Sequence, residues 1–364
     1  MPTAAPAAPK GSLSRLLTPL VAPEVFDFWA SKLHPTWSWQ RPLARVLERR
    51  EEARDAITLV LQPNRHCGAF APGQHLNVSA EIGGVRVTRS YSPSAAPRAD
   101  GRIELTVKRV EGGRFSNHLH DNIAVGDVLE LAPAFGEMTL PAQPQGRWLF
   151  LAAGSGITPL MSLTRSLAAA GMPVELTLLY WARTREELCY ARELRELAAR
   201  EPRFRLQLLL TREDSLLADE LGGRLDAALL QGLVPELAQQ QVHACGPAGF
   251  VDNARQLLAQ QAASFKAEAF TPSAVAEVAG TVRVELRASG RTLEIPAGQA
   301  LLPALEAQGI KPAYGCRMGI CNTCACSKLA GTTQNLNSGD VSAEPSSALR
   351  LCISRACTDL TLDL

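Results

Sequence analysis

The 364-residue sequence has no apolar run near the length of a membrane span. Its longest runs, such as WLFLAAG from Trp148, fall far short of the ~20 residues a spanning helix needs. The opening residues MPTAAPAAPKGS lack the charged-then-apolar pattern of an export signal. Net charge is lacking too, at +1. That excludes general affinity for nucleic acid or anionic surfaces. The six histidines are scattered, with no C-x-H pair of a Rieske centre and no H-E-x-x-H. No terminal oxidase site is therefore visible. No internal repeat is present. The nine cysteines are not spread as a disulfide framework, and five fall between Cys316 and Cys352 at metal-site spacing. These features predict a globular, cytoplasmic chain in a reducing compartment.

A single core rarely grows past roughly 250–300 residues, so several domains are expected. Residues 1–40 form an N-terminal extension. Its first twelve residues are Ala/Pro-rich and predict a mobile tail. Residues 13–40 hold Trp29, Trp37 and Trp39, and Pro19, Pro23 and Pro35 cut any helix short. From 41 to 142 the segments AITLVLQ, QHLNVSAEI, VRVTRSYS, RIELTVKRV and DVLELAP alternate and are split by turns, which predicts an antiparallel β-barrel. From 143 to 270 buried strands alternate with helices, as in an α/β doubly wound parallel sheet. One charged helix is expected over TREELCYARELRELAAR. A linker follows at 271–279. Residues 280–364 predict two short strands, a helix near 300–308 and a cysteine-rich loop.

Cys316, Cys321 and Cys324 form C-x4-C-x2-C, with Cys352 on the later segment ALRLCIS, read as a strand. This is the ligand spacing of a plant-type [2Fe–2S] ferredoxin. Gly315 and Gly319 let the loop approach the cluster, and Asn322, Thr323 and Ala325 are expected to leave amides free for the sulfurs. Structural zinc is the competing occupant, since it also takes four cysteines. Cys67, Cys189, Cys326 and Cys357 are spare or packing thiols.

Five further motifs stand in order. GAFAPGQHL (68–76) and RSYS (Arg89, Ser90, Tyr91, Ser92) precede GGRFSNHLH (112–120), where Ser116 reads as an N-cap at an anion-binding helix start. GSGITP (Gly154 to Pro159) follows a buried strand, so Gly154 and Gly156 can admit a pyrophosphate and Pro159 suits a first helical turn. ACGPAGF (244–250) ends a later strand. Together these resemble the ferredoxin–NADP reductase superfamily over residues 41–364, in the order flavin, nicotinamide, ferredoxin.

The resemblance implies FAD on the barrel, NADPH or NADH on the parallel sheet, and a [2Fe–2S] cluster in an α+β, β-grasp ferredoxin domain. Arg89, Ser90, Tyr91, Lys108, Gly113, Ser116 and Asn117 become flavin-site candidates, with Ser92 near the hydride-accepting atom. His118 and His120 are read as surface or packing residues. Gly154, Gly156, Thr158, Pro159, Gly246, Pro247 and Phe270 become nucleotide-site candidates. Cys245 is implied to lie beside the nicotinamide, and Glu268 to complete the site. Arg183 and Arg185 favour a 2′-phosphate and hence NADPH, or else are a solvated helix start.

Such a chain is an oxidoreductase that feeds single electrons to a separate protein. From Ser273 to Leu364 eight basic residues balance eight acidic ones. A tethered ferredoxin needs no steering charge to find its own reductase. Residues 13–40 resemble the extension of bacterial reductases that serve membrane-bound acyl desaturases. An aromatic-ring or alkane oxygenase is the alternative acceptor, and a non-catalytic iron–sulfur sensor a different class of reading. The extension is either an aromatic strap packed on the barrel or a peripheral membrane or partner contact. A monomer is expected.

Overall fold

The computed structural model describes residues 22–214, 217–234, 236–270 and 280–364. The expected mobile tail and the 271–279 linker lie outside the described residues.

Helix α1 (Pro23–Leu33) starts on Pro23, whose missing N–H costs nothing at a first position. Asp27 anchors it: its carboxylate accepts from Trp39 N at 2.6 Å and Ser38 Oγ at 3.1 Å. Ala30 faces inward, while Val25, Phe28, Trp29, Leu33 and Trp37 are each more than half exposed. Asp27 thus ties α1 to residues 38–39 of the same extension, and the barrel holds that extension where Asn64 Nδ2 donates to Thr36 O at 2.9 Å and His66 Nε2 bonds Ser38 O at 3.0 Å.

Strands β1 (Leu43–Ala53), β2 (Ala56–Pro63), β3 (Leu76–Ile82), β4 (Val85–Tyr91), β5 (Ile103–Lys108) and β6 (Val128–Leu131) form one antiparallel sheet ordered β4-β3-β6-β1-β2-β5. A bridge from Pro93 to Leu105 joins its ends. Helix α2 (Arg114–Asp121) buries Phe115 and Leu119 in the barrel core. Strand β1 is absent from the sequence-based list, because LERREEA has no apolar alternation. Charge pairing holds its far half instead, as where Arg50 meets Glu104 at 3.1 Å.

The second sheet runs β7 (Arg147–Ala153), α3 (Ile157–Ala169), β8 (Glu175–Ala182), α4 (Ala191–Arg200), β9 (Phe204–Leu210), β10 (Glu220–Gly222), α5 (Ala227–Leu233), β11 (Gln240–Gly246), α6 (Ala248–Leu258) and β12 (Ser264–Ala269). Its strands are parallel and ordered β10-β9-β8-β7-β11-β12. Strands covered on both faces read as unbroken apolar runs, which is why LFLAA and LLYWA stand out in the sequence. The order reverses between β7 and β11, and α/β sheets bind ligands at such a switch point. The single charged helix expected over 184–200 is broken. Arg185–Glu187 make one 3-10 turn, and Tyr190 adopts φ 59° before α4 begins. Tertiary contact overrides helix propensity there, since the buried Tyr190 hydroxyl donates to Thr106 on β5 and its N–H to Glu52 at 3.1 Å.

The last unit comprises β13 (Thr281–Leu286), β14 (Arg291–Pro296), α7 (Leu301–Ala307), β15 (Ala325–Ala330), β16 (Thr333–Asn335), β17 (Val341–Ser342), β18 (Ser346–Arg350), β19 (Ser354–Ala356) and β20 (Leu360–Asp363). A five-stranded sheet, β14-β13-β20-β15-β18, packs against Leu301, Leu302 and Leu305 of α7. A small sheet, β17-β16-β19, sits beside it. This is the α+β arrangement expected, with more strands than the two anticipated.

Candidate functional site

Cys316, Cys321 and Cys324 lie on the loop between α7 and β15. Cys352 lies on the 3-10 turn Leu351–Ile353 after β18, not on a strand as expected. The loop alternates handedness, with Arg317 at φ 60°, Gly319 at 77° and Asn322 at 56°. Alternation of this kind turns successive amides to one side and makes an anion nest. Met318, Ile320 and Cys321 amides accordingly donate to Cys316 Sγ at 3.3, 3.4 and 3.4 Å. The Cys316 amide and the Thr323 hydroxyl donate to Cys321 Sγ at 3.2 and 3.1 Å. A Cβ on Gly319 would lie 2.4 Å from Ile353, so only glycine fits that turn. Most donors sit upstream of the Asn322, Thr323 and Ala325 amides expected to serve, and the Ala325 amide bonds Asn322 O instead. Amides aimed at sulfur suit thiolates, and thiolates are what a cluster needs.

A cavity of about 530 Å³ opens where the three units meet. Arg89, Ser90, Tyr91, Ser92, Gly113 and Ser116 line its barrel side, and Ser155 and Thr158 its nicotinamide side. Cys316, Arg317, Met318 and Phe270 close it. Arg89 donates to Thr88 O at 2.7 Å and meets no carboxylate within ion-pair distance among the described residues, so its charge fits a phosphate. The first turn of α2 offers further amides. Its N-cap is Gly113, which corrects the Ser116 assignment. Ser116 lies inside the helix, where its Oγ accepts from Val110 N at 3.2 Å. Asn117 is not on the cavity wall, and Lys108 lines it with Nζ 2.6 Å from Glu187. Tyr91 stacks against Phe115 at 6.0 Å. His120 is a packing residue as expected: it is buried, bonds Val107 O at 3.0 Å, and burial lowers its pKa.

The residue that sequence reasoning missed is His75, quoted within PGQHL but given no role. It is buried, and its Nδ1 lies 2.6 Å from Ser92 Oγ. Its Nε2 bonds the Glu268 carboxylate. Parallel pairing of β11 with β12 sets Glu268 beside Cys245 and delivers it to this histidine. A buried histidine flanked by two polar motifs was the available signal.

At the switch point, Gly154 has φ +55° and open space where a Cβ would stand. A Cβ on Gly156 would fall 2.1 Å from Cys245 O. Gly156 therefore admits the neighbouring strand, which corrects its assignment to pyrophosphate approach. Pro159 is buried in the first turn of α3, and exposed Pro247 caps α6 beside Gly246. Cys245 is fully buried with Sγ 3.1 Å from Met138 Sδ. Burial and nearby Glu268 push its thiol well above the ordinary value, so it is no thiolate nucleophile. Thr184 Oγ1 and Trp181 Nε1, at the end of β8, are buried without a hydrogen-bond partner, which suits a ligand there. Arg185 does not fit its assignment to a 2′-phosphate. Its guanidinium is held by Glu213 and by Glu220 at 2.6 and 2.8 Å. Arg183 pairs with Glu187 at 2.9 Å but remains half exposed.

Residues 44–139 match the oxidoreductase FAD-binding domain, 150–256 the oxidoreductase NAD-binding domain, and 284–357 the 2Fe-2S iron–sulfur cluster binding domain. The chain is 32% identical to an NADPH oxidoreductase of Mycobacterium tuberculosis H37Rv, across 96% of this chain and 90% of that one. It is 30% identical to the glycine betaine monooxygenase reductase subunit of Chromohalobacter salexigens, across 85% and 91%. Phthalate dioxygenase reductase shares the fold, with a TM-score of 0.62, 24% identity, and 88% and 97% coverage. Three cofactor sites in this order, on these sheets, show that the chain belongs to the flavin- and [2Fe–2S]-dependent oxidoreductases of the ferredoxin reductase superfamily.

Proposed function

We propose that the chain takes hydride from NADPH and delivers electrons singly to a separate iron–oxygen enzyme. The observation that carries this reading is the cavity wall shared by Ser92, Thr158 and Cys316, one from each unit. When bound, FAD accepts two electrons with the hydride and the cluster passes electrons on one at a time. Arg89 and the α2 amides neutralise the flavin pyrophosphate. Phe270 shapes the nicotinamide side of the site, and the fully buried Cys245 supports that side from outside the cavity wall.

A hydride is a proton and two electrons. Once both electrons leave through the cluster, the proton must leave as well. Ser92, His75 and Glu268 form a hydrogen-bonded line for it, and Glu268 lies on a second cleft beside Lys266 and Met318. Ser92 hands the proton to His75 Nδ1, and His75 Nε2 yields its own to Glu268. His75→Phe should keep nucleotide binding but slow turnover and weaken its dependence on pH.

NADPH is the preferred nucleotide; Arg185 is tied to two carboxylates, and Arg183, half exposed beside Glu187, is the arginine proposed to turn to a 2′-phosphate. A membrane-bound acyl desaturase is the proposed acceptor. The resemblance of the N-terminal extension to reductases of acyl desaturases supports this, and α1 offers Phe28, Trp29 and Lys32 to a lipid headgroup region. The Chromohalobacter relative favours a second reading, an oxygenase acceptor. Restored fatty-acid desaturation with a co-expressed desaturase supports the first; success only with an oxygenase supports the second. No described helix is long and apolar enough to cross a membrane. Binding to anionic vesicles, lost in Phe28→Ala/Trp29→Ala, would support peripheral attachment.

A further inference from the structure

Asn77 lies on β3, buried where the barrel meets the cluster loop. Its Oδ1 accepts from Ser90 Oγ at 2.5 Å, and Ser90 lines the flavin cavity. Its Nδ2 donates towards Thr323 Oγ1 at 3.5 Å. The Thr323 hydroxyl donates in turn to Cys321 Sγ at 3.1 Å. Every group in this line uses the right capacity: the serine donates, the amide accepts and donates, and the threonine accepts and donates. The line runs from the flavin wall to a cluster thiolate, and its longest step is Asn77 to Thr323 at 3.5 Å.

Gly315 gives independent support. A Cβ there would stand 2.8 Å from Cys321 Sγ, 2.9 Å from Thr323 Oγ1 and 3.0 Å from Asn77 Nδ2. A side chain there would crowd all three groups and push the Asn77 amide away from Thr323. The backbone is bare at the one place where thiolate, hydroxyl and amide converge.

We infer that Asn77 and Thr323 are positioning residues for electron transfer from flavin to cluster, seating the cluster loop against the flavin wall through one hydrogen-bonded line. The inference rests on the reading that electrons run from FAD to the cluster. With both groups bound, the cluster would take up electrons from the flavin one at a time, each electron given up by one being gained by the other, and the proton would leave by the separate Ser92 route. Thr323 has a second effect, because a donor to a ligand sulfur raises the cluster potential.

The test mixes full-length holoprotein anaerobically with NADPH. Flavin bleaching is followed by absorbance and cluster reduction by freeze-quenched EPR. Thr323→Ala should bleach its flavin at the parental rate yet reduce its cluster about tenfold more slowly. Asn77→Ala, corrected for flavin content, should show the same slow cluster step, and the double variant should be no slower than either single one. Only Thr323→Ala and the double variant should show a more negative midpoint potential, and Thr323→Ser should restore both rate and potential. Parental cluster reduction in both single variants, with normal bleaching, would overturn the inference alone. Failure of the parent's flavin to bleach would overturn the reductase reading and this inference with it.

Discussion

The barrel makes two seams, and they are built differently. Against the parallel sheet it is clamped by short, partly buried contacts. Lys108 meets Glu187 at 2.6 Å, Arg165 donates to Ser94 O at 2.9 Å, Ser162 to Ala95 O at 3.0 Å, and His75 bonds Glu268. Among the described residues, the Asn77–Thr323 contact with the cluster unit is 3.5 Å, and Arg255 of α6 donates to Asn337 O of that unit at 3.4 Å. The difference matches the two transfers. Hydride must cross between atoms held roughly 3–3.5 Å apart, so its seam has to be stiff. An electron can cross a longer gap, and the cluster must also serve a separate protein. Its seam needs alignment without a clamp.

Removing one cluster ligand gives the largest expected effect. Cys352→Ser should abolish the cluster's visible and EPR signatures and cut acceptor reduction more than about 100-fold, a loss of roughly 3 kcal/mol in rate terms. Ferricyanide reduction directly from the flavin should survive. If both activities fell together, the two seams would not be separable.

The stiff seam is broken at Glu187, which is 2% exposed and meets Lys108, Arg54 and Arg183. Burial alone would raise its pKa, but Lys108 and Arg183 outweigh burial and hold it below the carboxylate range. Glu187→Ala would leave three partly exposed cations without their shared partner and should cost about 1.5–3 kcal/mol. Thermal unfolding of the holoprotein should fall, and flavin bleaching should slow more than flavin-to-cluster transfer. An unchanged melt would mean the seam is not clamped here.

A comparable effect comes from His243, buried on β11 between Trp148 and Phe150. Burial, then Lys266, lowers its pKa from 6.5 to about 4. The unfolded chain therefore takes up a proton that the folded one refuses. Stability is intact above pH 6.5 and declines as pH falls towards 4, by up to about 3 kcal/mol. His243→Phe should flatten that slope in urea unfolding curves recorded across this range.

The smallest effect separates the two arginines at the outer edge of the stiff seam. Arg183→Ala should lower the NADPH/NADH ratio of kcat/KM about tenfold, equivalent to one charged hydrogen bond. Arg185→Ala should leave that ratio within about twofold and act on stability through Glu213 and Glu220.

The parts that the sequence made legible are those where one residue type has one use. C-x4-C-x2-C permits few occupants, and unbroken apolar strands mark a doubly covered sheet. The turn that carries Cys352, the break before Tyr190 and the N-cap at Gly113 depend on contacts made across the fold, so local patterns misplace them. Strand β1 was hidden because salt bridges replace its apolar alternation. His75 was hidden because Glu268 lies 193 positions away in sequence. Gly156 shows the same limit, since a motif glycine can serve a ligand or a neighbouring strand and only the strand's position decides.

Anaerobic titration of the holoprotein with NADPH, read by flavin absorbance and cluster EPR together, tests the central claim most directly. Flavin bleaching and a reduced [2Fe–2S] signal are expected in the parent, and bleaching without that signal in Cys352→Ser. A parent whose flavin stays oxidised with either nucleotide, or whose four cysteines hold zinc without iron or sulfide, would contradict it.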